Sequence, residues 1–283
     1  MPVPYWGLDV SETGYQNRFG GVERLYGSED MARIRAMHVC VIGLGGVGSW
    51  AVDALARSGI GTLTLIDYDE VCATNINRQI QALDSTVGQK KISVLAQRVK
   101  DINPDCDCRL VDDYITDRNL FDLLPVEAGI DYVIDAIDSI RFKAAMIYYC
   151  RRNRIPIITT GAAGGLTDPT QICIRDLSRT RNDPLAAKVR ARLRHQYGYS
   201  RNTKRYFGVE CVFSLQQQVY PAGNGRVGHQ KPGIHGVHLD CHMGYGSASF
   251  VTGTMGFVAV SRAIHKVLHR QRVFSGRAKR TQE

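Results

Sequence analysis

Val39-Cys40-Val41-Ile42-Gly43-Leu44-Gly45-Gly46-Val47-Gly48 runs an apolar strand straight into G-x-G-G-x-G, and Ser49-Trp50-Ala51-Val52-Asp53-Ala54-Leu55-Ala56 continues as a helix. Glycines at such a turn let backbone N–H groups approach a phosphate, and the helix N-terminus adds a favourable dipole. A second apolar strand, Leu63-Thr64-Leu65-Ile66, ends in Asp67, 24 residues beyond Gly43. That is close to the ~20-residue spacing at which an acidic side chain meets a ribose hydroxyl. The pattern points to an adenine nucleotide as ligand; the alternative is a glycine-rich turn that only connects strand to helix. At this point NAD and ATP are equally open.

Outward from that stretch, strand and helix patterns alternate through residue 160. Strands are predicted at 38–42, 62–66, 108–112, 131–135 and 156–160, and helices at 29–36, 46–58, 87–102, 117–124 and 140–153. This alternation specifies an α/β fold: a Rossmann-like parallel sheet with helices on both faces. After Gly161-Ala162-Ala163-Gly164-Gly165 the pattern changes. It gives a strand at 170–175, a basic insertion over 177–209, a short strand near 211–213, a glycine-rich loop over 221–248 and a last helix over 250–270. The tail from Arg277 reads as disordered. Residues 1–175 are expected to form the nucleotide-binding portion and 176–283 a basic C-terminal portion, within one globular unit.

The net charge of +9 is unevenly spread. Residues 1–150 hold 14 Lys and Arg against 21 Asp and Glu, while residues 151–283 hold 22 against 6. Such segregation signals a polyanionic partner for the second half. Arg190, Arg192, Arg194, Lys204 and Arg205 are the core of a cationic run in which only Asp183 is acidic, with Tyr197, Tyr199, Tyr206 and Phe207 interleaved. Cations with aromatics suit RNA phosphates and bases; the alternative is a solvated loop. RNA is the favoured partner.

Eight cysteines include no C-x-x-C pair, which argues against a zinc ribbon or a thioredoxin-like site. Cys40 and Cys150 read as buried thiols and Cys211 as structural, in a reducing cytoplasm. No apolar N-terminal stretch follows a basic segment, which disfavours a secretory signal. Met243 to Ser261 lacks charge, but Gly244, Gly246, Gly253 and Gly256 lower its hydrophobicity, so it reads as a helix packed on the sheet rather than a membrane span.

The segment after Asp67 separates ATP from NAD. It reads Asp67-Tyr68-Asp69-Glu70-Val71-Cys72-Ala73-Thr74-Asn75-Ile76-Asn77-Arg78-Gln79, then Val87-Gly88-Gln89-Lys90-Lys91, and later Val133-Ile134-Asp135-Ala136-Ile137-Asp138. Arg78 and Lys91 supply cations for a triphosphate, and Asp138 supplies a hard oxygen for Mg2+. A dinucleotide needs neither.

Taken together, G-x-G-G-x-G, D-x-D-x-V, N-x-N-R-Q, G-x-x-K and D-A-x-D resemble the E1-like adenylating superfamily over residues 18–175. That superfamily includes ubiquitin-activating enzymes and the activators of bacterial sulfur carriers. The resemblance implies attack of a carboxylate on the α-phosphate of ATP. It implies that Gly43, Gly45, Gly46 and Gly48 line the nucleotide and that Asp67, with Asp69 beside it, holds the ribose. Asn75 and Arg78 would face the phosphates, Lys91 the β- and γ-oxygens, and Asp138 the Mg2+. It also implies a homodimer in which an N-terminal arginine reaches the partner's ATP. Here that stretch is Arg18-Phe19-Gly20-Gly21-Val22-Glu23-Arg24, so Arg18 and Arg24 are both candidates.

Further segments, among them Arg18 to Gly27, Asp168 to Gln171 and Asp183 to Lys188, resemble one subgroup, the bacterial tRNA threonylcarbamoyladenosine dehydratases. The resemblance implies ATP-dependent cyclisation of the modified A37 of tRNA, with loss of AMP and pyrophosphate. Cys241, in Leu239-Asp240-Cys241-His242, aligns with a cysteine associated in that family with sulfur or acyl relay, which would bring in a cysteine desulfurase partner. Two other readings stand beside this one: activation of a small sulfur-carrier protein by the same adenylation, and a non-enzymatic nucleotide-sensing or RNA-binding protein.

Overall fold

A computed structural model describes residues 13–222, 225–230 and 246–280. Cys241 and His242 lie outside the described residues. Two helices, α1 (Thr13–Tyr26) and α2 (Ser28–Ala36), lead into β1 (His38–Ile42), whose five residues are all buried. The order continues with α3 (Gly48–Arg57), β2 (Thr62–Ile66), α4 (Lys91–Ile102), β3 (Asp107–Val111), α5 (Leu120–Leu123), β4 (Tyr132–Asp135), α6 (Ile140–Arg152) and β5 (Ile157–Thr160). Then come β6 (Ile172–Asp176), α7 (Pro184–Gln196), β7 (Glu210–Ser214), a small hairpin of β8 (Tyr220–Pro221) and β9 (Val227–Gly228), and the long α8 (Ser249–Arg280).

Seven strands form one sheet in the order β3-β2-β1-β4-β5-β7-β6, parallel throughout except for β6 against β7. Buried two-sided strands require apolar side chains on both faces, and two separate cores answer that need. One holds side chains of α1 to α4 and α8; the other holds those of α6 and α7. The strand order reverses beside β1, so the carboxyl ends of β1, β2 and β4 open a crevice where ligands of such sheets bind.

The structure departs from several expectations. α1 has no counterpart among the expected helices. The helix expected from 87 starts at Lys91, because Gly88 (φ +84°) and Gln89 fold back on Val71 through two backbone hydrogen bonds. The helix expected over 117–124 shrinks to four residues. Within the basic insertion lies α7: Asp183 caps it by accepting from the Ala186 N–H at 2.8 Å, Pro184 opens it, and Ala186, Val189 and Leu193 bury its inner face. The strand near 211–213 spans 210–214 and enters the sheet between β5 and β6. The last helix runs on to Arg280, into the tail read as disordered.

α8 crosses α3 closely. A Cβ on Gly256 would lie 2.7 Å from the Val47 carbonyl oxygen, and Gly253 sits against the Trp50 ring. Its other side is tied to the sheet by Arg262, which forks onto the Glu210 carboxylate at 2.6 and 2.8 Å. Among the described residues no helix is long and apolar enough to cross a membrane.

Candidate active site

The turn after β1 is shaped by three glycines in three ways. Gly43 has φ +84°, and a Cβ there would press on Ile137 at 2.9 Å. At Gly48 a Cβ would overlap the Gly43 carbonyl oxygen. Gly45 has nothing within 4 Å of a built Cβ, so this part of the loop faces open space. Leu44 anchors the loop: its side chain is buried, its N–H donates to Asp67 Oδ2 at 2.6 Å, and its carbonyl accepts from Gln81 Nε2 at 2.9 Å. Sequence reasoning missed Gln81, although it closes the same polar run that supplies Asn75 and Arg78.

Asp67 also accepts from the Asp69 N–H at 2.8 Å. Burial raises its pKa, while Lys91 and these two N–H donors oppose the shift. An ionised carboxylate has about four acceptor positions, so two protein donors leave room for a ribose hydroxyl.

Lys91 opens α4 with its side chain buried, and its Nζ lies 2.7 Å from the half-exposed Asp69 carboxylate. The Arg78 side chain runs over Gly46, with its Cδ 3.6 Å from a Cβ built there. Its Nη1 donates to the Thr74 carbonyl at 2.6 Å and to Asn77 Oδ1 at 2.9 Å. The Arg78 carbonyl accepts from Trp50 Nε1 at 2.9 Å and Thr252 Oγ1 at 3.1 Å. Asn77 donates to the Ser247 carbonyl at 2.9 Å, so the start of α8 clamps the cationic segment onto α3. Buried Asn75 accepts from the Cys72 N–H at 3.1 Å and shapes the turn that carries Arg78.

Asp138 is exposed just past β4, and among the described residues it has no ion-pair partner. Asp138 follows β4 at the rim formed by the carboxyl edge of the sheet, where Tyr68 follows β2, and the Asp69 carboxylate, partial burial, then Asp67 and Asp138 raise the Tyr68 pKa. A free carboxylate at that rim fits Mg2+, which keeps most of its ligands as water and phosphate.

Beneath the rim lies a charged pair that sequence reasoning missed. Lys143, 1% exposed, places its Nζ 2.8 Å from an oxygen of fully buried Asp135. Thr159 Oγ1 donates to the other oxygen at 2.6 Å, and the Ile137 N–H reaches Asp135 at 3.3 Å. The pair therefore fixes the turn 136–138 that abuts Gly43. The first Asp of D-A-x-D was the available signal.

The cationic residues of the insertion divide. Arg190 Nη1 donates to Thr180 Oγ1, and Arg194 Nε donates to the Ser200 carbonyl at 3.3 Å with its guanidinium 5.4 Å from the Phe207 ring. Both are tied down by hydrogen bonds within the protein. Lys188, Arg201, Lys204 and Arg205 are exposed. An open hollow of about 690 Å³ at the end of α7 is lined by Arg192, Arg194, His195 and Arg201, among others. Arg18 donates to the Asp101 and Ile102 carbonyls, both at 3.3 Å, at the C-terminal end of α4. That end lies at the amino edge of the sheet, so Arg18 does not approach the glycine turn of this chain. Arg24 is exposed on α1. Cys40, Cys150 and Cys211 are fully buried, and burial pushes all three thiols up, which leaves them inert at neutral pH.

Known proteins resemble this chain in sequence and in fold. The tRNA threonylcarbamoyladenosine dehydratase of Escherichia coli K12 is 52% identical over 260 residues, covering 92% of this chain and 96% of the relative. The enzyme of that name from Haemophilus influenzae is 51% identical over 257 residues, covering 91% and 95%. A crystal structure of the E. coli dehydratase in complex with ATP superimposes with a TM-score of 0.81 at 48% identity, covering 94% of this chain and 99% of that one. The ThiF family model matches residues 19–283, and the chain belongs to the ThiF family.

Proposed function

We propose that this protein is an ATP-dependent dehydratase acting on N6-threonylcarbamoyladenosine at position 37 of tRNA. The observation that carries this reading is the near-complete match, in sequence and in fold, to dehydratases of that name, one of them crystallised with ATP and with AMP. The reaction runs in two displacements. The threonyl carboxylate attacks the α-phosphorus, the bond to the β-phosphate oxygen breaks, and pyrophosphate leaves. A nucleophile within the same side chain then attacks the acyl carbon and expels AMP, which carries off the carboxylate oxygen. The elements of water thus pass from the nucleoside to ATP. No general base is needed for the first step, because a carboxylate is ionised at neutral pH.

The residues divide this work as follows. Gly43, Gly45, Gly46 and Gly48 bring backbone N–H groups to the nucleotide, and Asp67 takes the ribose. Arg78, steadied by Asn75, and Lys91 meet charge that develops as pyrophosphate departs. Release of Lys91 from Asp69 toward phosphate accompanies ATP binding. Asp138 is the residue to hold Mg2+, which supplies further charge neutralisation. Lys188, Arg201, Lys204 and Arg205, with Arg192 and the hollow beside it, hold tRNA phosphates. The two portions 1–175 and 176–283 act as one unit, since β7 lies inside the sheet of the first. A homodimer would give Arg18, which lies away from the glycine turn of its own chain, a site to reach, with exposed Arg24 as the other candidate. A tRNA substrate fits a cytoplasmic protein.

The test is AMP and pyrophosphate release with tRNA that carries the modification or lacks it. AMP formation that depends on the modification supports the reading, and equal turnover without it contradicts the assignment.

A further inference from the structure

Three aromatic rings rise from three elements at the carboxyl edge of the sheet. Tyr68 follows β2, Tyr114 follows β3 and Phe142 lies in the first turn of α6. Their centroids are 5.1 Å apart for Tyr68 and Tyr114 and 6.3 Å for Tyr114 and Phe142. Tyr68 is 54% exposed and Tyr114 51% exposed. Singly exposed aromatics are ordinary, but these two pack against each other, and the loop that carries Tyr114 is fixed by its own hydrogen bonds. Asn119 Nδ2 donates to the Tyr114 carbonyl at 3.1 Å, its Oδ1 accepts from the Thr116 N–H at 2.7 Å, and Asp113 accepts from the Tyr114 N–H at 2.7 Å. Tyr68 and Tyr114 face solvent, while Phe142 packs against the core.

The surrounding carboxylates are largely answered within the protein. Asp69 pairs with Lys91, Asp112 with Lys90 and Asp117 with Arg141. Arg141 also lies 5.5 Å from the Phe142 ring centre. The rim therefore offers exposed π-faces beside the carboxylate of Asp138, unpaired among the described residues, a surface suited to the face of a base rather than to a phosphate. It adjoins Asp138, and it lies on the side of the sheet covered by α6 and α7. α7 starts at the same carboxyl edge, where Asp183 accepts from the Ala162 N–H, and its 13 residues lead to the basic hollow. At 1.5 Å per residue α7 is roughly 20 Å long, and its start beside β5 stands three strand positions from β2, so an RNA that touches both rim and hollow crosses the sheet edge as well as following α7.

We infer that Tyr68 and Tyr114 form a stacking platform for an unpaired base of the RNA substrate next to the reacting nucleoside. This rests on the tRNA reading above. Single-stranded bases are recognised by stacking on exposed aromatic faces, each worth enough to change affinity about tenfold. The platform holds the loop while the modified side chain reaches the crevice, so it acts on substrate binding and not on the displacement itself.

Tyr68→Ala and Tyr114→Ala should each raise KM for tRNA about tenfold and leave ATP affinity and kcat at saturating tRNA unchanged. Tyr68→Phe and Tyr114→Phe keep the π-face and should behave as wild type. In a binding arm free of turnover, Tyr114→Trp is titrated with an anticodon stem-loop RNA, and the indole fluorescence should be quenched beyond the wild-type background. Unchanged KM for tRNA in both alanine variants overturns the platform, as does loss of ATP affinity with tRNA binding intact, which would put the adenine of ATP on these rings. If wild-type protein fails to dehydrate tRNA at all, the functional reading falls, and the fluorescence arm still decides the platform by quenching or its absence.

Discussion

Gly45 and Gly48 stand three residues apart in one turn, and an added methyl group separates their roles. At Gly48 it collides with the Gly43 carbonyl, so Gly48→Ala should destabilise the fold and lower the melting temperature. At Gly45 it meets no protein atom, so Gly45→Ala should melt as wild type yet bind ATP at least tenfold more weakly, by calorimetry. Normal ATP affinity in Gly45→Ala would place the nucleotide elsewhere. Lys91 and Arg78 are tested by kinetics. Alanine at either should cost about 10²-fold or more in kcat, the scale of losing one donor to developing charge, with the fold retained by circular dichroism. The buried Lys143–Asp135 pair behaves differently: Lys143→Met strands a carboxylate with no exposure, and chemical denaturation should show a loss of about 3 kcal/mol or more.

Among the elements, α8 joins the glycine turn to the far strands. Glu210 on β7 is held below the ordinary glutamate range, chiefly by its hydrogen bonds to Arg262, with Lys266 adding to the effect. The folded state thus favours the ionised form, and its contribution is full above the unfolded pKa and fades as pH falls through the lowered one. Hydrogen exchange in α8 should accelerate over that acid range in the wild type and show no such step in Glu210→Gln. The strands and the motif-bearing turns were legible in the sequence, since apolar runs and glycine spacing are local signals. α1 was not legible because Gly20 and Gly21 interrupt its pattern. α7 was hidden by its charges, although Asp183-Pro184 announces a helix start. The clamp of Ser247 and Thr252 on Asn77 and Arg78 joins residues about 170 positions apart, and no local pattern shows such a pairing.

For the whole molecule, the acidic first half carries the nucleotide crevice and the basic second half carries α7 and its exposed cations. Because Arg190 and Arg194 make internal hydrogen bonds, neutralising them disturbs α7 as well as any grip on RNA. Neutralising exposed Lys188, Arg201, Lys204 and Arg205 isolates the electrostatic effect. Every phosphate that such a variant leaves unneutralised should reduce the log–log salt slope of tRNA binding by roughly 0.7 to 0.9, with ATP affinity unchanged. The most direct measurement remains chemical. Protein, ATP, Mg2+ and tRNA bearing threonylcarbamoyladenosine are incubated, the tRNA is digested to nucleosides, and their masses are read. Conversion of that nucleoside to one lighter by a single water, dependent on ATP and absent in Lys91→Ala, is the expected result. An unchanged nucleoside alongside intact ATP binding would contradict it.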